Sequence, residues 1–539
     1  MSSQATVTPE GGGVRLKFWR RALGALDDRI NPILVKEVRQ SLRGKYFGII
    51  FALTLTIATC IGSVLLVSEA EYPSSSSGKT FFQMIFGCFV FAICLFVPFA
   101  AFFSLASEWD EDTHDMLVIS NLRPWQIVRG KFMGAFFQTL LYGSALIPFL
   151  SFAFLLRGLD LVGAVWATLI AVVTSGGLIS VSLALSSSSQ KKFVRITLMA
   201  FMAIFLSWVS AGLTTIVGFA FLGSGVHRTP EGVATILAYI SLVIVVSGFA
   251  LASTTARLTH PEENRSSALR ILGTSTLVVG LAWGAWFYSQ GPSNEFLGAL
   301  GVIGAIWITV TSLNFMCEEE RLGRRVQLDV PRNRYLGIAV AAWYPGGGRA
   351  ALHFMGQGLL LLLGLSLIPA FLSPIGSART SPDSRAVFGA LTLLSYGFIY
   401  VGLPTALLSR WTREASWRAA GRIAAIVLFF GGLFGPMIFD LLVNGHSPGN
   451  LNHLGNPQWV IDRFVFRKEG AEMLYVVWAV AAAVLCLNIP RIATGIREMT
   501  AASEHRRGTE TRTRIHDEGQ LRAEALQADK QSEEHAPQS

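Results

Sequence analysis

The sequence predicts an all-α integral membrane protein, and three observations predict it. Of 539 residues, 52% are apolar and only 15% charged, with a mean hydropathy of +0.49, which lies outside the range of an ordinary soluble domain. About twelve apolar runs recur along the chain, each near the roughly 20 residues that one helix needs to cross a bilayer core. The polar stretches between them carry lysine and arginine in alternate loops, as the orientation rule for membrane proteins requires. That alternation also explains the net charge of +9 without a nucleic-acid partner, since no single basic stripe forms.

Residues 1–46 are expected to be a cytoplasmic tail ending in one surface helix. The tail, with Glu10, Asp27 and Asp28 among its glycines and arginines, lacks the charged, apolar, small-residue plan of a cleavable signal, so the first span is expected to be retained. Asn31 as N-cap and Pro32 at the first helical position open a helix. Leu34, Val35, Val38 and Leu42 share one of its faces, with Lys36, Arg39, Gln40 and Arg43 opposite. A helix of that pattern lies on a membrane surface.

Spans are expected at about 47–67, 81–107, 132–156, 161–186, 196–222, 233–256, 271–290, 296–316, 350–373, 387–409, 422–443 and 471–490. The first six make a core over 47–256 and the second six fill 257–490. Both halves follow a two-span hairpin plan without sharing sequence, which leaves an internal duplication open. An even number of spans puts both termini on one side, and roughly 36 of the 44 lysines and arginines fall there. The expectation is a multi-pass protein of the cell (inner or plasma) membrane with both termini cytoplasmic. Residues 491–539 are polar and nearly free of aromatics, and are expected to be a disordered tail with a frayed helix near 520–528.

A charged island, Glu108 to Lys131, separates the second and third runs. Asp112 or Thr113 can cap a short helix, Asp115 suits its first turn, Ser120-Asn121 stops it, and Pro124 starts the next. Met116, Leu117 and Ser120 fall on one face while Asp110, Glu111, Asp115 and Arg123 stay in water, so the helix can either dock on a partner or rest on headgroups. The island resembles the first cytoplasmic loop of the ABC type 2 permeases, the membrane subunits of ATP-binding-cassette exporters. Glu108, Thr113, Leu117, Leu122, Ile127, Gly130 and Lys131 match at the spacing of that loop, with Asp112 in place of glycine and Asn121 where proline is frequent. The Asn31-Pro32-x-x-x-Lys36-Glu37 helix, followed by Arg39, is similar to the one that commonly precedes the first span in that family. The resemblance implies a coupling helix that seats Met116 and Leu117 in a groove of a separate ATPase subunit, with Glu108 and Glu111 anchoring it or pairing with nearby basic residues. It also implies a dimer of permeases, with ATP bound by the partner subunit and no cofactor on this chain.

Other signals are weaker. Gly78-Lys79-Thr80 ends like a phosphate-binding loop, but Pro73 stands where glycine is needed and no strand precedes it. Hence the chain is expected to be a non-catalytic subunit. The spans carry almost no ionisable groups at mid-membrane, with His353 and Asp440 near span ends, which disfavours an ion-driven carrier. The alternative is a twelve-helix secondary transporter, because Glu320-Arg-Leu-Gly-Arg-Arg325 resembles an inner loop of the major facilitator superfamily. Gly346-Gly347-Gly348 is read as a turn feeding the ninth span. Cys60, Cys88, Cys94, Cys317 and Cys486 have no metal-ligand spacing and are read as packing residues.

Overall fold

A computed structural model of the chain describes residues 32–71, 77–110, 123–156, 158–188, 192–260, 262–291, 294–372, 384–411, 417–443, 454, 456–467 and 472–534. Among these residues all regular structure is helical and no strand occurs. Eleven of the helices are long and apolar enough to cross a membrane, so the chain is an all-α, polytopic membrane protein. It divides into two units, Met1–Leu258 and Thr259–Ser539.

Unit 1 contains α1 (Pro32–Arg43), α2 (Lys45–Glu71), α3 (Ser77–Phe91), a π turn (Ala92–Phe96), α4 (Val97–Asp110), α5 (Pro124–Leu155), α6 (Leu161–Ser186), α7 (Lys192–Val217) and α8 (Pro230–Leu258). A second π turn (Gly218–Gly223) and a 3-10 turn (Val226–Arg228) join α7 to α8. Together α3, the first π turn and α4 make one crossing over Ser77–Ser107. Pro98 explains the π turn inside it: proline has no N–H to donate, and its ring would collide with the carbonyl four residues back, at Cys94. Neighbouring side chains satisfy the loosened backbone. Ser175 Oγ on α6 donates to the Ile93 carbonyl at 2.7 Å, and Thr139 Oγ1 on α5 lies 2.9 Å from Ser175 Oγ, as a low-dielectric interior requires. Phe82, Phe86, Phe89 and Ile93 are fully buried around this crossing, in one core with Ile179 and Leu183 of α6.

Pro124 opens α5 as its first residue, with Arg123 as N-cap donating its backbone N–H to the Gln126 side chain at 3.0 Å. The helix therefore begins eight residues before the expected span and takes in Gly130 and Lys131.

Unit 2 contains α9 (Ser267–Gln290), α10 (Asn294–Phe315), α11 (Arg324–Asp329), α12 (Arg334–Ala339), a 3-10 turn (Ala341–Trp343), α13 (Gly347–Leu372), α14 (Ser384–Trp411), α15 (Trp417–Val443), α16 (Pro457–Val460), a π turn (Ile461–Phe466) and α17 (Met473–Glu534). Two expectations change here. The run expected as the eleventh crossing, 422–443, falls on α15, whose described apolar stretch, Ala420–Gly432, is shorter than a span. The tail expected to be disordered from residue 491 instead continues α17 as helix to Glu534. Its first part is packed, because Met499 and Ala502, one turn apart, are buried with Leu322, Val326 and Val330. Composition hid this, since few residues of the segment are apolar and those that are small or single suffice for the contact.

Candidate functional site

The two segments that carry the family resemblance meet in unit 1. Glu37 on α1 places Oε1 2.9 Å from Lys131 Nζ on α5, and Lys131 also donates to Ser104 Oγ at 2.9 Å and to the Ser104 carbonyl at 3.1 Å on α4. Ser104 Oγ in turn donates to Glu37 Oε2 at 3.1 Å. All three ammonium protons thus have acceptors, and both carboxylate oxygens have donors, which is the condition for keeping an ion pair out of water. The Lys131 side chain is only 3% exposed. Glycine at 134, about one turn beyond Gly130, permits the approach: a Cβ there would stand 3.0 Å from Glu37 Cβ.

The expected surface helix α1 therefore has its acid turned inward onto the bundle. Lys36 and Arg39 are exposed, Leu34 and Val38 half-buried, while Val35 and Leu42 remain exposed. Pro32 is the first residue of α1; Asn31, Glu111, Thr113, Met116, Leu117 and Leu122 lie outside the described residues, as does the expected coupling helix. Glu108 sits on α4 one turn after Ser104, and its side chain is not described. The sequence did not point to Ser104. A serine inside a long apolar run carries no pattern, and only the helix crossing shows that it completes the pair.

The far end of α5, about 36 Å along the helix from Lys131, faces a different polar group. Asp160 caps α6 by accepting from the Val162 backbone N–H at 3.3 Å. Its Oδ2 also contacts His227 Nε2 and accepts from Arg228 Nη2 at 3.0 Å. The hydrogen bond from His227, with help from Arg228, holds the Asp160 carboxyl below its ordinary value. His227 stacks on Phe221 with ring centroids 5.8 Å apart.

Spans α2, α3 and α7 enclose an open groove of about 720 Å³. Leu53 and Ile57 of α2, Gln83, Met84 and Phe91 of α3, and Thr214 of α7 line it, and its size suits a drug-sized or lipid-like molecule.

Unit 2 holds a second ion-pair network that the sequence reading passed over. Glu318 Oε2 accepts from Arg270 Nη2 at 2.7 Å, and Glu320 Oε1 from Arg491 Nε at 2.9 Å. Arg349 Nη1 donates to the Gly495 carbonyl at 2.9 Å, its Nη2 to the Glu320 carbonyl at 2.7 Å, and Glu498 Oε2 lies 3.6 Å away. The Glu320 carboxylate also accepts from the Gly348 backbone N–H at 2.9 Å, at the start of α13 where the helix dipole favours an anion. The triple glycine is thus more than a turn. Gly346 has φ of 135°, and a Cβ on Gly348 would stand 2.2 Å from the Arg491 carbonyl oxygen. Equally, Glu320 of the Glu320–Arg325 segment is a pinned acid. Among the described residues no group of His, Cys, Asp and Glu is placed to hold a metal ion.

Compared with known proteins, the chain matches no family model, no curated protein and no solved structure.

Proposed function

We propose that the chain is the membrane permease subunit of an ABC exporter, coupled to a separate ATPase and working as a dimer of permeases in the cell membrane. The observation that carries this reading is the buried pair of Glu37 and Lys131, 94 residues apart in sequence. It joins the two segments that resemble the permease family, and Ser104 adds the end of the preceding crossing to the same tie. Residues 111–122, which join α4 to α5, are the segment on which an ATPase would push. Because α1, α4 and α5 are bonded together at its base, a push there would move them as one body rather than bend a single helix. The groove between α2, α3 and α7 supports a path for an apolar or amphipathic cargo. Both termini are cytoplasmic in this reading, with α15 as the additional crossing that brings the eleven to twelve.

Leu117→Asp tests the coupling. A charge placed in an apolar contact costs about 2 kcal/mol or more, and residue 117 lies outside the expected spans, so membrane abundance is expected to stay normal. ATP-driven uptake into inverted vesicles and copurification of the ATPase are both expected to be lost, while Ser76→Asp changes neither. Transport that survives ATP depletion but stops when the proton gradient is dissipated would replace this reading with a secondary transporter.

A further inference from the structure

The faces of α1 meet different surroundings. At about 100° per residue, Leu34 and Val38 fall within about 100° of Glu37, on the side that packs against α5. Lys36, Arg39 and Arg43 fall together in an arc of about 60° on the opposite side, and all three are exposed. Val35 and Leu42, 37% and 40% exposed, run along one edge of that basic arc. A shallow open cleft of about 460 Å³ lies between Val35, Lys36, Arg39, Gln40 and Arg43. Glu37, the only acid of α1, is turned away to Lys131 and Ser104, so no carboxylate of this helix offsets the three cations. The level of α1 is fixed as well. Ser104, which Glu37 meets, lies near the end of its crossing, Ser77–Ser107, and Gly44 alone separates Arg43 from α2, whose apolar span starts at Phe47. Helix α1 therefore sits where two crossings leave the apolar layer.

We propose that this outward face of α1 is a docking site for anionic phospholipid headgroups of the leaflet it borders. Lys36, Arg39 and Arg43 hold the phosphates, and Val35 and Leu42 rest against the upper acyl chains. A basic strip beside an apolar one, at the depth where spans end, matches the cross-section of a leaflet, with carbon on one side and phosphate on the other. Long basic side chains reach such phosphates while their stems lie on carbon. Lys45, exposed at the start of α2, adds a cation at the same level. Depth is what selects lipid over an acidic protein, since charge alone suits both. The tie from Glu37 to Lys131 stops α1 from turning about its axis, so the basic arc is held ready rather than formed on contact. A zwitterionic headgroup carries its own ammonium, which competes for the phosphate, whereas an anionic headgroup keeps its net charge for the protein. Each lysine or arginine near an anionic surface strengthens the attraction roughly fivefold. The site is independent of what drives transport.

Native mass spectrometry of the purified full-length protein, offered equal amounts of phosphatidylglycerol and phosphatidylcholine with the same acyl chains, reads the preference directly. The wild type is expected to bind the anionic lipid several-fold over the zwitterionic one. The variant K36Q/R39Q/R43Q is expected to lose most of that preference while keeping the wild-type Tm in lipid-free detergent, because its substituted side chains face outward. R321Q/R324Q/R325Q removes the same charge from exposed positions of unit 2 and is expected to keep the preference. A wild type without preference, or equal losses in the two variants, would overturn the proposal. So would displacement of the lipid by millimolar inorganic phosphate, which would mean a free-anion site. Loss of a copurifying protein from K36Q/R39Q/R43Q with the lipid preference intact would make this face a protein contact instead.

Discussion

At the scale of single residues, the Glu37–Lys131 pair has a value set by burial rather than by charge alone. Removing one partner leaves the other desolvated without compensation, which costs about 3–5 kcal/mol for a buried pair. Lys131→Met is therefore expected to lower the Tm of the purified protein sharply, while Glu37→Leu combined with Lys131→Met recovers much of the loss. The interaction energy of that double-mutant cycle measures the tie between α1 and α5. Asp160 makes a different prediction. Its carboxyl titrates below its ordinary value of 3.8 because His227 and Arg228 favour the charged form. The unfolded chain thus binds the proton first as pH falls, so the contribution of this group is complete above 3.8 and is lost through the lowered folded value. A thermal melt between about pH 5 and pH 3 is expected to show falling stability, with a shallower fall in Asp160→Asn.

At the scale of elements, close approach decides which glycines matter. Gly348→Ala directs a methyl group at the Arg491 carbonyl, where backbone rather than a flexible side chain must give way. The expected cost is about 1–3 kcal/mol, measured as a lower Tm and faster proteolysis of residues 491–506. Gly356→Ala on the same helix has nothing within 4 Å of the added Cβ, and is expected to be neutral or slightly stabilising because alanine is the better helix former. The same contrast separates what was legible in these elements from what was not. Pro124 and its preceding N-cap position marked the start of α5 in the sequence, because a proline at N1 acts locally. The packing of residues 491–506 left no such mark, since Arg491, Met499 and Ser503 find their partners on segments more than 150 residues earlier in the chain.

At the scale of the whole molecule, topology is the testable quantity. With cytoplasmic termini and twelve crossings, an engineered cysteine near Ser76 is expected to react with an impermeant reagent on intact cells, and one near His516 only after permeabilisation. External labelling at both sites would mean eleven crossings with an outward C-terminus, and external labelling near His516 alone would mean an inverted protein. The parity rests on α15, whose 27 residues suffice in length for a crossing of about 30 Å.

The amino-acid sequence by itself determined the class of this protein and the placing of most of its membrane helices. Runs of twenty apolar residues, prolines at helix starts and the alternation of basic loops act through local or solvent-level physics, which needs no knowledge of neighbours. Tertiary structure alone decided the rest: that Glu37 faces Ser104 and Lys131, that Glu320 caps α13 and grips Arg491, and that Arg270 reaches Glu318. A polar residue within or beside an apolar run has the same sequence signature whether it is solvated, paired or left for water. Only the helix register and the distance to its partners distinguish those states, because the energy of a buried polar group is set by what it touches.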